Sequence, residues 1–195
     1  MTATPPKILL LCSSAADAEL VATALRSEFP ALVTSLDAAA SVEDFERCLP
    51  DVLLLACRGL EDNQARTKAL YTQSEIARAH PHRTLLLCHA DQTDQTYELC
   101  KRGDFDDYIK FWPHTFDVWQ LPMSVMHALR QLRAAKVLAS AAGELVNYAD
   151  RSAAAESLLV PGGSDPAGAV QVIQRKMRAL LQPGENNAAA DRPVQ

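Results

Sequence analysis

Several signatures that would decide a function class are missing from this chain of 195 residues. No apolar run approaches the roughly 20 residues that a bilayer-spanning helix needs. The apolar stretch at positions 8–12 is shorter than the core of a secretory signal, about 7–15 residues. A cytoplasmic location is therefore the expectation. The five cysteines, Cys12, Cys48, Cys57, Cys88 and Cys100, are odd in number and include no C-x-x-C pair. Neither a disulfide framework nor a zinc knuckle follows from such a set. No G-x-x-x-x-G-K-[ST] and no G-x-G-x-x-G occurs, so no glycine loop is there to cradle phosphates. Internal repeats are absent. A surplus of cationic charge is absent too, because 19 Lys and Arg stand against 24 Asp and Glu. The net charge of -5 and pI near 5.5 give no global attraction to nucleic acid or to an anionic membrane.

What is present is an alternation of buried strands and amphipathic helices. Positions 7–12 and 51–56 read as strands, because Ile8 to Leu11 and Val52 to Leu55 are unbroken runs of Val, Ile and Leu, the mark of strands covered on both faces. Positions 32–36, 84–88 and 105–111 supply three more strands. Ser13 and Ser14 offer caps for a helix whose first turn holds Asp17 and Glu19, where negative charge suits the dipole. Leu20, Ala24, Leu25 and Phe29 are its expected buried face. A short helix opens at Ser41. Positions 60–80 read as a loop followed by a helix. Positions 93–101 read as a helix closed by Gly103, and a long helix begins near Leu121 with Pro122 in its first turn. Strand–helix units of this length specify a parallel sheet. Five of them in about 130 residues give the expected class, an α/β flavodoxin-like, doubly wound five-stranded parallel sheet with an extended C-terminal helical segment.

Three segments carry a resemblance to a family. They are Lys7-Ile8-Leu9-Leu10-Leu11, Pro50-Asp51-Val52-Leu53-Leu54-Leu55 and Gly103-Asp104-Phe105-Asp106-Asp107-Tyr108-Ile109. Together they resemble the receiver domain of response regulators, over residues 7–133. The resemblance implies a Mg²⁺ site built from two acids after the first strand and an acceptor Asp after the third, since a hard cation needs oxygen ligands. In this chain the acid positions fall on Cys12 and Ser13 and the acceptor position on Ala56. A thiol, a hydroxyl and a methyl cannot make that site. The family's Thr or Ser after the fourth strand is replaced by His89. The nearest lysine to its Lys-Pro pair is Lys110, one position early in a simple alignment. The expectation is a receiver-like protein that is not an enzyme, needs no cofactor and no metal, and acts by protein–protein contact. Two other readings compete. One is phosphorylation on a displaced acid such as Asp62, beside Glu61. The other is a redox or soft-metal cluster of Cys12, Cys57, Cys88 and His89.

An aromatic stretch marks the expected interaction surface: Tyr108, Phe111, Trp112, Phe116 and Trp119. Aromatics are favoured in binding hot spots because they bury much area for little lost entropy, although Phe111 also suits a core position. The expected organisation is a receiver-like domain over residues 1–133 and a helical extension over 134–159. A linker at 160–168, a short amphipathic helix at 169–181 and a disordered tail at 182–195 complete it. In the extension, Leu138, Ala141, Leu145, Tyr148, Ser152, Ala155 and Leu159 form a heptad seam. It fits a homodimer through Leu138, Leu145 and Tyr148. Partners are therefore expected to be another signalling protein or a second copy, with no nucleic acid and no membrane.

Overall fold

The computed structural model describes residues 5–113 and 119–159, with side chains up to 149. Five strands run parallel in one sheet: β1 (Ile8–Cys12), β2 (Leu32–Ser35), β3 (Val52–Ala56), β4 (Arg83–His89) and β5 (Asp107–Trp112). Their order is β2-β1-β3-β4-β5. The helices are α1 (Ala15–Leu25), α2 (Ser41–Cys48), α3 (Leu60–Gln73), α4 (Glu75–Ala79), α5 (Thr93–Arg102) and α6 (Gln120–Leu159), with a short 3-10 turn at Ala90–Gln92. The chain divides into two units, residues 1–142 and 143–195. The segments expected at 160–168, 169–181 and 182–195 lie outside the described residues, as does Phe116.

The alternation of the strands assigns the two faces of the sheet. Ile8, Leu10, Val52, Leu54, Leu85, Leu87 and Ile109 meet α1 through Val21 and Leu25, and α6 through Leu121, Val125 and Leu129. On the other face, Leu9, Leu11, Leu53, Leu55 and Leu86 meet Phe45 of α2, Leu70 of α3, Ala77 of α4 and Leu99 of α5. Helices thus cover both faces, which is why β1 and β3 are buried at every residue.

Two local expectations change. The buried stripe of α1 is Ala18, Val21, Ala22 and Leu25, while Leu20 is 45% exposed. Positions 60–80, expected to start as a loop, are helical from Leu60 onward. The buried positions of α3 are Leu60, Asn63, Thr67 and Leu70, which keep helical spacing. Two of the four are polar, so apolar periodicity alone conceals the stripe. Helix α6 runs without a break through position 133, so no helix end marks that boundary. No helix among the described residues is long and apolar enough to cross a membrane.

Candidate functional site

The carboxyl ends of parallel strands are where open α/β sheets gather their chemistry. Here β1 and β3 end side by side, with Cys12 paired to Ala56 in the ladder. Both are fully buried. The Cys12 thiol lies 3.2 Å from the carbonyl oxygens of Ala56 and of Ser14, with one proton to share between them. Burial pushes this thiol above its ordinary pKa. Ser13 is exposed, and Ser14 caps α1 by accepting from the Asp17 N–H at 3.3 Å. A methyl, a protonated thiol and a hydroxyl thus occupy the positions where the resemblance implies oxygen ligands for a cation.

The edge is instead tied together by Asp17. Its carboxylate is 1% exposed and accepts a bidentate pair from Arg58, at 2.8 Å from Nε and 2.9 Å from Nη2. The indole N–H of Trp112 donates to the same carboxylate at 3.2 Å. The Arg58 guanidinium holds the Asp17 carboxyl below its usual value. Burial alone would raise it, and the Trp112 N–H adds to the lowering. Arg58 also sits 5.9 Å from the Trp112 ring centroid, within cation–π range. One residue from α1, one from the loop after β3 and one from the end of β5 are thereby joined by charge-assisted bonds. The fixed cation at this edge is a guanidinium.

Asn63 organises the loop between β3 and α3. Its Oδ1 accepts from the Cys57 N–H at 3.0 Å, and its Nδ2 donates to Cys57 O at 2.7 Å and to Gly59 O at 3.1 Å. Cys57 is buried, which raises its thiol pKa. Glu61 and Asp62 lie exposed in the first turn of α3.

The structure corrects the assignment of β5. Lys110 pairs with Cys88, but Trp112 pairs with His89, so the ladder carries a bulge between Cys88 and His89. A bulge sets two residues of one strand against one of its neighbour. Phe111 and Trp112 therefore both turn into the core, at 2% and 3% exposure, and their rings meet edge to face with centroids 5.0 Å apart. Neither belongs to an interaction surface. Lys110 stays exposed on the strand. It is Trp112, joined to Pro113 by a cis peptide bond, that occupies the place of the family's Lys-Pro pair. Of the expected surface aromatics, Trp119 is 65% exposed and Tyr108 is half-buried.

His89 and the cysteines do not form one cluster. His89 Nδ1 bonds Asp91 Oδ1 at 2.6 Å, and its side chain caps the turn that follows. All five cysteines are free. Among the described residues no group of three His, Cys, Asp or Glu is placed to hold a metal ion. Asp17 and Arg58 were visible in the sequence only as a first-turn acid and a residue past a strand end. Asn63 gave no signal, because a buried amide inside a polar helix looks like any surface residue.

No protein-family model matches the chain, and no curated protein matches it. Solved structures do. NtrX from Brucella abortus aligns at a TM-score of 0.57 and 16% identity, over 70% of this chain and 29% of that one. This chain thus spans about a third of the length of the NtrX structures it matches. The signal receiver domain of a protein described as a Luxo repressor, from Vibrio parahaemolyticus, aligns at 0.55 and 14% identity, over 69% of this chain and 98% of that domain. The signal receiver domain of an HD domain-containing protein from Pseudomonas fluorescens Pf-5 aligns at 0.55 and 17% identity, over 70% and 96%. At these identities the likeness establishes the fold: the chain has the receiver fold.

Proposed function

We propose that this chain is a receiver-type protein of two-component signalling that works by protein–protein contact, without phosphorylation and without Mg²⁺. The observation that carries the reading is the Asp17–Arg58–Trp112 network beside Ala56. A receiver gathers carboxylates around a hard cation so that a further carboxylate can accept a phosphoryl group. This edge spends the one carboxylate buried among the described residues on an arginine and offers a methyl at the acceptor position. The protein is then a binding module with no catalytic group, and it acts in the cytoplasm. Its contact surface draws on Tyr108 and Trp119. A second copy is the partner suggested by Leu138, Leu145 and Tyr148, which are 70%, 48% and 70% exposed.

Incubation of the full chain with Mg²⁺ and acetyl phosphate, followed by intact-mass spectrometry, tests the proposal. The expected result is no phosphoryl adduct. A stoichiometric adduct that disappears in Asp62→Asn would replace this reading with phosphorylation on the displaced acid.

A further inference from the structure

We propose that the groove at the opposite edge of the sheet, where the strands begin, is a binding site for a small organic anion with an apolar body. This site is independent of the signalling reading above. The cavity measures about 530 Å³, within the roughly 300–1,000 Å³ of small-molecule sites. One side is a single stripe of α6, Leu129, Leu132, Arg133 and Lys136. These positions recur at helical spacing and so share one face. The two leucines are buried, at 6% and 3% exposure, and form an apolar floor. Pro5 and Pro6 close the groove from the chain leading into β1. Their fixed φ angles make that wall stiff.

The charges around the floor select the ligand. Lys7, Arg133 and Lys136 line the groove against one carboxylate, Asp51. The local balance is positive in a chain whose net charge is -5. Asp51 is already engaged: it accepts from Lys136 Nζ at 3.0 Å and from the Lys7 backbone N–H at 3.2 Å. It is therefore not free to recruit a cation. Lys7 Nζ donates to a neutral acceptor, Cys48 O, at 3.1 Å. Arg133 makes no hydrogen bond and no ion pair among the described residues. A guanidinium with no partner among the described residues, three residues from Lys136, can address one carboxylate or phosphate in two-pronged fashion. His80 adds a polar group. Its Nε2 lies 2.9 Å from Pro50 O, and a carbonyl can only accept, so that nitrogen carries the proton. The chemistry that fits is an aromatic or branched aliphatic body lying against Leu49, the lining leucine that is 39% exposed, with its acidic group at Arg133.

The test uses 8-anilinonaphthalene-1-sulfonate, an aromatic anion, in a fluorescence titration of the full chain. Saturable binding at one site is expected, displaced by 2-naphthoate or by adenosine monophosphate but not by neutral 2-naphthamide. Displacement by the carboxylate alone or by the phosphate alone tells which acidic group the site takes. Arg133→Glu, with an unchanged circular dichroism spectrum, should weaken binding at least tenfold. Arg130→Glu, the same change of charge at an exposed position of the same helix outside the groove, should leave it unaltered. The proposal is overturned by any of four results. They are no saturable binding, displacement by neither anion, displacement by the amide as effective as by the acid, or wild-type affinity in Arg133→Glu.

Discussion

Asp17 gathers two partners that lie far from it along the chain. Arg58 is 41 positions away and Trp112 is 95. Sequence patterning sees a first-turn acid favourable to the helix dipole, and Ser14 does cap that helix as expected. It cannot see that the acid is buried, because an aspartate on a helix turn is most often solvated. The pH consequence has a definite sign. The folded carboxyl titrates below its unfolded value, so its contribution to stability is present above the unfolded pKa, about 3.9 for Asp. That contribution is lost as the pH falls through the folded pKa. Arg58→Ala removes the main cause of the lowering and leaves burial to raise the value. Acid unfolding, followed by circular dichroism, should then move to higher pH than in the wild type. An unchanged midpoint would show that the bidentate pair does not hold the carboxylate.

Two elements show what patterning reads well and what it reads poorly. Strands β1 and β3 were legible because their Val, Ile and Leu runs are buried on both faces. Strand β5 was legible as a strand but not in its orientation. The bulge opposite His89 turns Phe111 and Trp112 the same way, and a simple alternating pattern assigns them to opposite faces. Helix α3 was half legible, since Asn63 and Thr67 take two of its four buried places. Asn63 also decides how α3 starts, through its three bonds to Cys57 and Gly59. Asn63→Ala leaves the buried Cys57 N–H and C=O without these partners. The expected cost is about 1–3 kcal/mol, measured by urea denaturation. A loss below the error of that measurement would mean that water replaces the amide.

The molecule as a whole has the receiver fold, and on the function proposed above one edge of it is rebuilt for binding. The fold was legible because five strands, with β1 and β3 buried throughout, leave few ways to arrange helices around them. Cys12, Ser13 and Ala56 were legible as residues at the strand ends, and the Asp17–Arg58–Trp112 network beside them was not. The thiols test whether the edge has taken up redox chemistry. Cys12, Cys48, Cys57 and Cys88 are buried, and burial raises their pKa values; that of Cys100 is pushed up to about 11. Labelling with a disulfide reagent should be slow in the folded protein and fast after denaturation. Rapid labelling of Cys57 or Cys88 would restore the redox reading. The proposed second copy is tested by sedimentation. The wild type should run at dimer mass and Leu145→Glu as a monomer, and a wild type that stays monomeric with rising concentration removes that partner. The chain's two tryptophans sit in opposite surroundings: Trp112 is buried against a carboxylate and a guanidinium, and Trp119 is 65% exposed. They divide the intrinsic emission into a dry component and a wet one, so the molecule carries its own pair of optical probes, one inside the rebuilt edge and one on the surface proposed to meet partners.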